Sequence, residues 1–414
     1  MLTLDRRSLI GGALLAPAAL ALPGVSRGAP SLLPPAIGQV ERLARLAKAR
    51  ALMRRHGLGA ILVEPGPSLD YFTGVRWSRS ERLTAALIPA VGDPIIVTPF
   101  FEKPSVAESL GIPAEIRTWD EHEEPLRLVA DWLRERKLVA APLGIEETNR
   151  FFIVDRLRAE LPRLAVRNAN PVVRGCRMIK SPTELALMQA ATDLTIATIR
   201  DVHGKLREGM TPDDISTLLE SGMVARGGTN PWALVLLGEA SAYPHGSGKP
   251  QSVKRGEVVL IDTGCAVRGY QSDISRSFIF GADATREQRR VWEQVTQGQK
   301  IAMQAAKIGA TAGSVDDAVR GAYTRWGYGP DYKLPGLSHR TGHGIGMEGH
   351  EPVNLVRGET TQLAPGMCFS NEPGIYLPGK FGIRLEDCFH MTAAGPRWFS
   401  TPPASIDEPV GPRA

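Results

Sequence analysis

Two segments of the chain each predict a β-hairpin that carries two acidic residues. In residues 260–278, LIDTGCAVRGYQSDISRSF, two apolar runs flank a turn predicted at Ala266–Gly269. Folding this segment about its midpoint places Asp262 opposite Asp273. Facing carboxylates repel each other and are costly inside a sheet, so this arrangement requires a compensating partner.

A second hairpin with the same character lies nearer the C-terminus. MCFSNEPGIY and FGIRLEDCFHM are joined through Leu377–Lys380, and Glu372 and Glu386 are symmetric about Gly379. Each hairpin follows two predicted helices, whose capping signals are Ser181–Glu184, Thr211–Asp214, Thr285–Gln288 and Ser314–Asp317. The order predicts an internal repeat of two halves, and packing these halves face to face would bring four carboxylates to one centre.

Four converging carboxylates are unstable without cations. Two divalent metals about 3.5–4 Å apart, as in two-metal hydrolysis, would compensate them. An imidazole ligand is expected from HRTGHGIGMEGHEP, where His339, His343 and His350 fall within twelve residues and the glycines argue against a helix. Oxygen donors with one imidazole suit manganese, cobalt, iron or zinc, and none of the four cysteines lies in a CxxC pair that would favour a thiolate zinc site.

The rest of the chain predicts a second, smaller domain and a tail. Residues 38–172 alternate helix and strand signals, which predicts an α/β domain, and residues 178–400 hold the two repeated halves. Prolines and mixed charge near residues 167–182 predict the connection, and residues 401–414 form a C-terminal tail. The net charge of +5 comes without a long basic run, so we expect no nucleic-acid partner.

The N-terminus predicts an export signal over residues 1–29. Arg6 and Arg7 precede an apolar run from Leu9 to Leu22 that is too short for a typical transmembrane helix. The pair resembles a twin-arginine signal, which implies a periplasmic protein that meets the membrane only transiently during export. An uncleaved signal that tethers the protein to the membrane is the alternative. An oxidising compartment would also permit, without requiring, a disulfide between Cys368 and Cys388.

Five motifs in this order, DTG…SDISRS, HRTGHGIG, GHEP, NEPGIY and GIRLED, resemble the pita-bread metallopeptidases, and among them the Xaa-Pro aminopeptidase and prolidase branch. SLDYFTG, from Ser68 to Gly74, resembles a segment of the creatinase-like N-terminal domain of this branch, and RMIKSPTELALMQAA resembles the entry to its catalytic domain. The resemblance implies an α+β pita-bread catalytic domain with an internal pseudo-twofold repeat, preceded by a smaller α/β domain.

The resemblance also implies roles for individual residues. The positions that match its five dinuclear metal ligands are Asp262, Asp273, His343, Glu372 and Glu386. Asp273 and Glu386 match the bridging carboxylates. The positions that match residues around the substrate are His245, His339, His350, Tyr376 and Arg384. Two of these have an alternative, since Arg384 could pair with a ligating carboxylate and Tyr376 could pack in the core.

The activity implied is hydrolysis of the bond between an N-terminal residue and proline. A hydroxide that bridges two divalent ions, with manganese favoured, would attack the carbonyl, while His245 or His350 stabilises the oxyanion and Glu372 carries the proton. The substrate would be a peptide with proline second, and the family implies a homo-oligomer, such as a dimer. A hydrolase or lyase of a small non-peptide metabolite is an alternative, whereas the complete ligand set argues against a non-catalytic binding module.

Overall fold

The structure, a computed structural model, describes residues 33–410. The export signal predicted for residues 1–29 lies outside the described residues. Ten α-helices occur within the described range: Gln39–His56 (α1), Pro67–Thr73 (α2), Lys103–Ser109 (α3), Pro125–Glu135 (α4), Phe151–Glu160 (α5), Asn170–Arg177 (α6), Pro182–His203 (α7), Pro212–Ala225 (α8), Arg286–Ala305 (α9) and Ala312–Arg325 (α10). None of the helices in this range is both long enough and apolar enough to span a bilayer.

The strands of the same range fall into two groups. Those of the first domain are Ala60–Val63 (β1), Ala85–Pro89 (β2), Ile95–Pro99 (β3), Glu115–Trp119 (β4), Leu143–Ile145 (β5) and Val166–Asn168 (β6). Those of the second are Thr229–Leu237 (β7), Val258–Val267 (β8), Tyr270–Gln271 (β9), Ile274–Ile279 (β10), Gly342–Gly344 (β11), Glu351–Leu355 (β12), Cys368–Asn371 (β13), Gly374–Leu377 (β14), Phe381–Arg384 (β15), Asp387–Thr392 (β16) and Gly395–Trp398 (β17).

The first domain is built on one mixed sheet in the order β4-β3-β2-β1-β5-β6. Its central strands β1, β2 and β3 are buried throughout, which explains why they read as continuous apolar runs rather than alternating ones. The predicted α/β character of this region is confirmed. The predicted connection is more ordered than its prolines suggested, because residues 166–177 form β6 and α6.

The second domain has the predicted repeated order. Helices α7 and α8 precede the sheet β10-β8-β7, and helices α9 and α10 precede the sheet β12-β11-β13-β16-β17, with β14 and β15 as a separate ribbon. An antiparallel bridge between Ser275 and Glu386 joins the two halves, with backbone hydrogen bonds in both directions. The acidic residues of both hairpins therefore lie along the seam between the halves.

The predicted register of the first hairpin is wrong. Asp262 pairs with Ser275 rather than with Asp273. The turn is centred on Arg268 and Gly269, which both have positive φ (49° and 89°), as a two-residue type I′ turn requires. A non-glycine residue in the left-handed region was not foreseen, and it moves the partner of each strand residue by two positions.

The second hairpin has the predicted register. The ladder of β14 with β15 and the ladder of β13 with β16 share one axis of symmetry at Gly379, so that Gly374 pairs with Arg384 and Asn371 with Asp387. Glu372 and Glu386 lie in the gap between the two ladders. Glu386 is bridged there to Ser275 of the first half, so this gap lies at the seam between the two halves.

Three of the four predicted helix starts are confirmed as capping boxes, at α7, α8 and α9. The fourth is wrong, because α10 begins at Ala312, three residues after the preceding glycine Gly309 and before the predicted cap at Ser314. The first N–H groups of α10 are bonded by carbonyls of residues 359 and 361, so no side-chain cap is needed. Asp316, predicted near the start, is instead buried and pairs with Arg320 at 2.7 Å.

All four cysteines, Cys176, Cys265, Cys368 and Cys388, are buried and free. The permitted disulfide between Cys368 and Cys388 is therefore not formed. Burial raises the pKa of the Cys368 thiol to about 12, so this thiol is uncharged and behaves as a small apolar side chain.

Candidate metal centre

The acidic residues predicted from the sequence converge at the seam. Carboxylate oxygens of Asp262, Asp273 and Glu386 all lie within 4.8 Å of one another. Ligand atoms of His343, Glu372 and Glu386 form a second such group, so Glu386 belongs to both. All five residues predicted as metal ligands are therefore together, on strands or strand ends from both halves of the domain.

Two glycines allow the backbone to approach closely where these residues lie. A Cβ atom on Gly264, two residues after Asp262, would lie 2.0 Å from the carbonyl oxygen of Ser272. A Cβ atom on Gly342, next to His343, would lie 2.1 Å from the carbonyl oxygen of Ser370. Each half thus uses a glycine to bring one ligand-bearing strand against the segment that carries the next acid.

His343 is oriented towards the acids by a hydrogen bond to the backbone of the next residue. Its Nδ1 donates to the carbonyl oxygen of Gly344 at 3.0 Å, which leaves Nε2 with its lone pair free. This Nε2 lies 3.3 Å from Glu372 Oε1 and 3.6 Å from Asp273 Oδ2. Burial lowers the pKa of His343 well below the usual value, so its imidazole is neutral and able to bind a cation.

The acids of the centre repel one another. Burial, followed by the charge of Asp262, raises the pKa of Asp273 well above its usual value. Burial and Asp273 have the same effect on the pKa of Glu386, and burial raises the pKa of Glu372 to about 7. This is the pattern expected of carboxylates that share one site without a counter-charge.

Arg384 neutralises only one edge of this cluster. Its Nη2 donates to Asp262 Oδ2 at 2.5 Å and its Nε donates to Ser275 Oγ at 3.0 Å, while Ser275 Oγ donates to Glu386 Oε2 at 2.8 Å. The side chain of Arg384 is 4% exposed and pairs with Asp262, a predicted ligand, which agrees with the alternative role given to Arg384 above. A direct contact with substrate stays a prediction.

His339 and Tyr376 form a hydrogen-bonded pair beside the acids. The Tyr376 hydroxyl donates to His339 Nε2 at 2.8 Å and accepts from Arg384 Nη1 at 3.3 Å. His339 Nδ1 donates to the carbonyl oxygen of Arg340. Burial, followed by the charge of Arg384, lowers the pKa of His339 to about 3, so its ring is neutral. Tyr376 is fully buried, and its predicted substrate contact also stays a prediction.

The two remaining predicted histidines lie at the exposed side of the centre. The His350 ring packs edge-on against His343, with centroids 4.2 Å apart, and one of its nitrogens lies within 4.8 Å of ligand atoms of Asp273 and His343. His245 is on the exposed loop after residues 238–242, and its charge would lower the pKa of both His339 and His350. Both are accessible to a bound molecule.

Sequence reasoning missed three polar residues of the centre. Ser275 donates a hydrogen bond to Glu386. Ser370 Oγ accepts a hydrogen bond from the backbone N–H of His343 at 2.9 Å. Both serines therefore hold segments that carry predicted ligands. Arg340 donates to Asn354 at 3.0 Å and lowers the pKa of Glu372 and of His350. All three lie inside or beside the quoted motifs, but serines and a single arginine carry no signal of their own there.

Two family models match this chain. The model described as metallopeptidase family M24 matches residues 186–393, and the model described as the creatinase/prolidase N-terminal domain matches residues 45–179. The chain belongs to metallopeptidase family M24. The predicted family and the predicted pita-bread fold with its creatinase-like N-terminal domain are thereby confirmed.

Several dipeptidases and prolidases are similar to this M24 enzyme. The chain is 32% identical over 340 residues to the Xaa-Pro dipeptidase of Lactobacillus helveticus, which covers 80% of this chain and 90% of the relative. The structure of this chain is similar to that of dipeptidase PepE from Mycobacterium ulcerans (TM-score 0.81, 30% identity, covering 90% of this chain and 98% of the other). The prolidase from Thermococcus sibiricus is also similar (TM-score 0.78, 27% identity, covering 87% and 97%).

The centre fits divalent cations, on which this family depends. Asp262 Oδ1 and Glu386 Oε1 are buried oxygens without a hydrogen-bond partner among the described residues. Buried polar atoms rarely lack a hydrogen-bond partner. Here both residues belong to the group Asp262, Asp273 and Glu386, whose ligand oxygens lie within 4.8 Å of one another. Bound cations would give partners to the two unpaired oxygens and to the free Nε2 of His343, and they would offset the burial and repulsion that raise the pKa values of these acids.

The stability of the metal-free M24 enzyme should fall as the pH rises. A carboxyl whose pKa is raised by folding stabilises the fold below its unfolded pKa, about 4.3 for glutamate, and this stability is lost through the folded value, about 7 for Glu372. We expect the thermal midpoint of metal-free protein to fall between about pH 5 and pH 8, measured by circular dichroism. Divalent metal should restore more stability at pH 8 than at pH 5, because it competes with protons for these oxygens.

The Glu372→Gln variant is the control for this prediction. It removes one titrating carboxyl, so its metal-free midpoint should depend less on pH over the same interval. A wild-type midpoint that rises from pH 5 to pH 8 in the presence of a chelator would contradict the assignment of raised pKa values to these acids.

Proposed function

We propose that this M24 enzyme is a dinuclear-metal exopeptidase that hydrolyses the bond between an N-terminal residue and proline. The observation that carries the proposal is the set of converging buried acids with unpaired oxygens at Asp262 and Glu386, next to the free Nε2 of His343. The Xaa-Pro substrate class is supported by relatives named Xaa-Pro dipeptidase and prolidase.

Two overlapping ligand groups would hold the ions. Asp262, Asp273 and Glu386 form one group, and His343, Glu372 and Glu386 form the other. Glu386 shares in both groups, which supports its predicted bridging role, and Asp273 has the same role by family resemblance. When bound, two divalent ions supply Lewis acidity that makes hydroxide available near neutral pH and polarises a carbonyl. The oxygen-rich donor set favours manganese, with cobalt, zinc and iron as alternatives.

Glu372 is placed to move a proton. Its Oε1 lies 3.3 Å from His343 Nε2, its Oε2 lies 3.9 Å from His339 Nδ1, and its side chain is more exposed than those of Asp273 and Glu386. We assign to Glu372 the transfer of a proton from the attacking water to the leaving nitrogen. His339 cannot take this role while its ring nitrogens are occupied by Tyr376 and by a backbone carbonyl.

His350 and His245 would contact the substrate. Both rings are exposed, and His350 lies directly against His343, where it can donate a hydrogen bond to the carbonyl oxygen as negative charge develops. The nitrogen of an Xaa-Pro bond carries no hydrogen, so a site that recognises it cannot rely on an N–H donor from the substrate. The proline ring would lie beside the histidines, Tyr376 and Arg384, whose contacts with substrate are predicted from the family resemblance.

A substrate panel tests the proposed function. We expect manganese-loaded protein to cleave Ala-Pro or Ala-Pro-Ala and to leave Ala-Ala and non-peptide amides of small metabolites largely intact, measured by release of free amine. The ratio of Ala-Pro to Ala-Pro-Ala turnover separates a dipeptidase from an aminopeptidase. Turnover of a non-peptide amide, with no cleavage of either proline peptide, would replace the proposed substrate class by a small metabolite.

We further propose that the enzyme works outside the cytoplasm and as a dimer. Export is supported by Arg6 and Arg7 before the apolar run in the sequence, and dimerisation by family resemblance. Fractionation of cells that express the full chain tests the first proposal, and a Lys-Lys pair in place of Arg6 and Arg7 should retain the protein in the cytoplasm. Sedimentation of the purified enzyme tests the second.

A further inference from the structure

A buried carboxylate beside His350 has no part in the chemistry proposed above. Glu351 is 4% exposed, and its Oε1 accepts hydrogen bonds from the backbone N–H groups of Met347 at 2.9 Å and Glu348 at 3.2 Å. We refer to residues 346–351 as the His350 loop. Its conformation is held by hydrogen bonds from two of its own backbone N–H groups to one carboxylate oxygen of Glu351.

The same carboxylate binds two cations from another part of the chain. Arg177 Nη2 lies 2.5 Å from Glu351 Oε1, and Lys180 Nζ lies 2.9 Å from Oε2. Arg177 is the last residue of α6 and Lys180 lies between α6 and α7, so both belong to the connection between the two domains. Arg177 also donates to Glu348 at 2.6 Å and to Ser68 of the first domain at 3.0 Å. The His350 loop is thus tied to the connection between the domains.

The electrostatics keep Glu351 ionised. Burial opposes the charge, but Arg177 and Lys180 outweigh it and lower the pKa of Glu351 to about 2. A buried carboxylate with two cationic partners and two backbone donors has a fixed position, because any movement leaves buried charges unpaired.

A glycine in the loop indicates that this packing is close. A Cβ atom on Gly346 would lie 2.7 Å from Lys180 Cε and 2.8 and 2.9 Å from the two carboxylate oxygens of Glu351. The carbonyl oxygen of Gly346 also accepts from the backbone N–H of Gln271 at 2.8 Å. The loop therefore contacts the first hairpin on one side and the ionic cluster on the other.

His350 has little else to hold it. Its ring is exposed and forms no hydrogen bond to any residue of the described range 33–410, and its ring contact is the edge-on packing against His343. The position of the imidazole is consequently set by the backbone of its loop, and that backbone is held by the neighbouring residue Glu351.

We propose that Glu351, held by Arg177 and Lys180, is a positioning residue that keeps His350 against the metal centre. The inference rests on the proposed function, in which His350 contacts the reacting carbonyl. It assigns to the segment between the domains a direct influence on a residue of the substrate site, although Arg177 and Lys180 themselves do not reach the substrate.

Kinetics of the Glu351→Gln variant test this inference. Glutamine keeps the size of the side chain but removes the negative charge that Arg177 and Lys180 share. We expect kcat for Ala-Pro or Ala-Pro-Ala to fall about 10²-fold with a smaller change in KM, since a small displacement of a catalytic group costs this much. In the His350→Ala background the same substitution should have little further effect, because the group it positions is already absent.

Three further variants separate positioning from loss of stability. Glu64→Gln removes a fully buried carboxylate that pairs with Arg150 at 2.7 Å in the first domain, and its activity should stay within about twofold of wild type. Arg177→Lys keeps the positive charge and should retain more activity than Arg177→Met. The comparison of these two variants also tests the positioning role if Glu351→Gln folds poorly.

Spectroscopy provides a readout that is independent of turnover. In metal-free protein with labelled histidine, the ring resonance of His350 should move in Glu351→Gln and stay in place in Glu64→Gln. An unmoved resonance, or an equal loss of activity in the wild-type and His350→Ala backgrounds, would overturn the positioning role. A moved resonance in a protein that cleaves no Xaa-Pro peptide would support the positioning role and refute the proposed substrate class.

Discussion

The Asp273→Asn variant is expected to lose about 10³-fold in kcat/KM for Xaa-Pro peptides. Asp273 is 5% exposed and contributes oxygen atoms to two of the groups that can hold a cation. Metal ions stabilise transition-state charge by several kcal/mol, and each 1.4 kcal/mol corresponds to a factor of ten in rate. Steady-state kinetics and metal analysis of the same preparation measure the effect, and the variant should bind less metal than wild type.

This variant should nevertheless fold well. The raised pKa of Asp273 means that a neutral side chain is preferred there without cations, so the thermal midpoint of metal-free Asp273→Asn should match or exceed that of metal-free wild type near neutral pH. Asp70→Asn is the matched control, because Asp70 pairs with Arg42 at 2.9 Å in the first domain. Full metal content and activity in Asp273→Asn would remove this residue from the centre.

The Arg276→Met variant is expected to destabilise the protein by about 3–5 kcal/mol, the usual cost of breaking a buried ion pair. Arg276 and Asp387 are almost completely buried and lie 2.7 Å apart. Arg276 Nη1 also donates to the carbonyl oxygen of Glu386 at 2.8 Å, next to the bridge between the halves. Methionine fills part of the volume but leaves the Asp387 carboxylate and this carbonyl without their cationic partner.

Urea denaturation of metal-free protein measures this loss. The matched control is Arg289→Met, which breaks the surface pair of Arg289 with Asp407 and should leave the midpoint unchanged within error, since exposed ion pairs contribute little. If both variants lose the same free energy of unfolding, the buried Arg276–Asp387 pair contributes no more to stability than the surface pair, and the prediction is wrong. A stable Arg276→Met protein with reduced metal binding would instead assign Arg276 to the orientation of Glu386.

Much of this architecture could be predicted because its determinants are local. The capping boxes of α7, α8 and α9, the apolar strands and the symmetry of the second hairpin about Gly379 all depend on residues near one another in the chain. The convergence of the acids could also be predicted, since it follows from the repeated order of helices and hairpins together with the chemistry of carboxylates.

The failures have non-local or conformational causes. The register of the first hairpin depends on Arg268 adopting a positive φ, which its residue type disfavours. The start of α10 depends on carbonyls from residues 359 and 361, far along the chain. The ionic partners of Glu351 come from the connection between the domains, and a single glutamate beside a histidine gives no indication of them.

The seam also determines when the centre can come into being. Ser275 and Glu386, which meet there, are 111 residues apart in the chain. Contacts of such long range close large loops and therefore form late as a chain folds. During synthesis, Asp262 and Asp273 of the first hairpin can meet Glu372 and Glu386 only after nearly all of the C-terminal half has been made. Metal binding at this centre therefore requires the complete, folded domain, and a nascent chain or a chain truncated before Glu386 lacks the full ligand set.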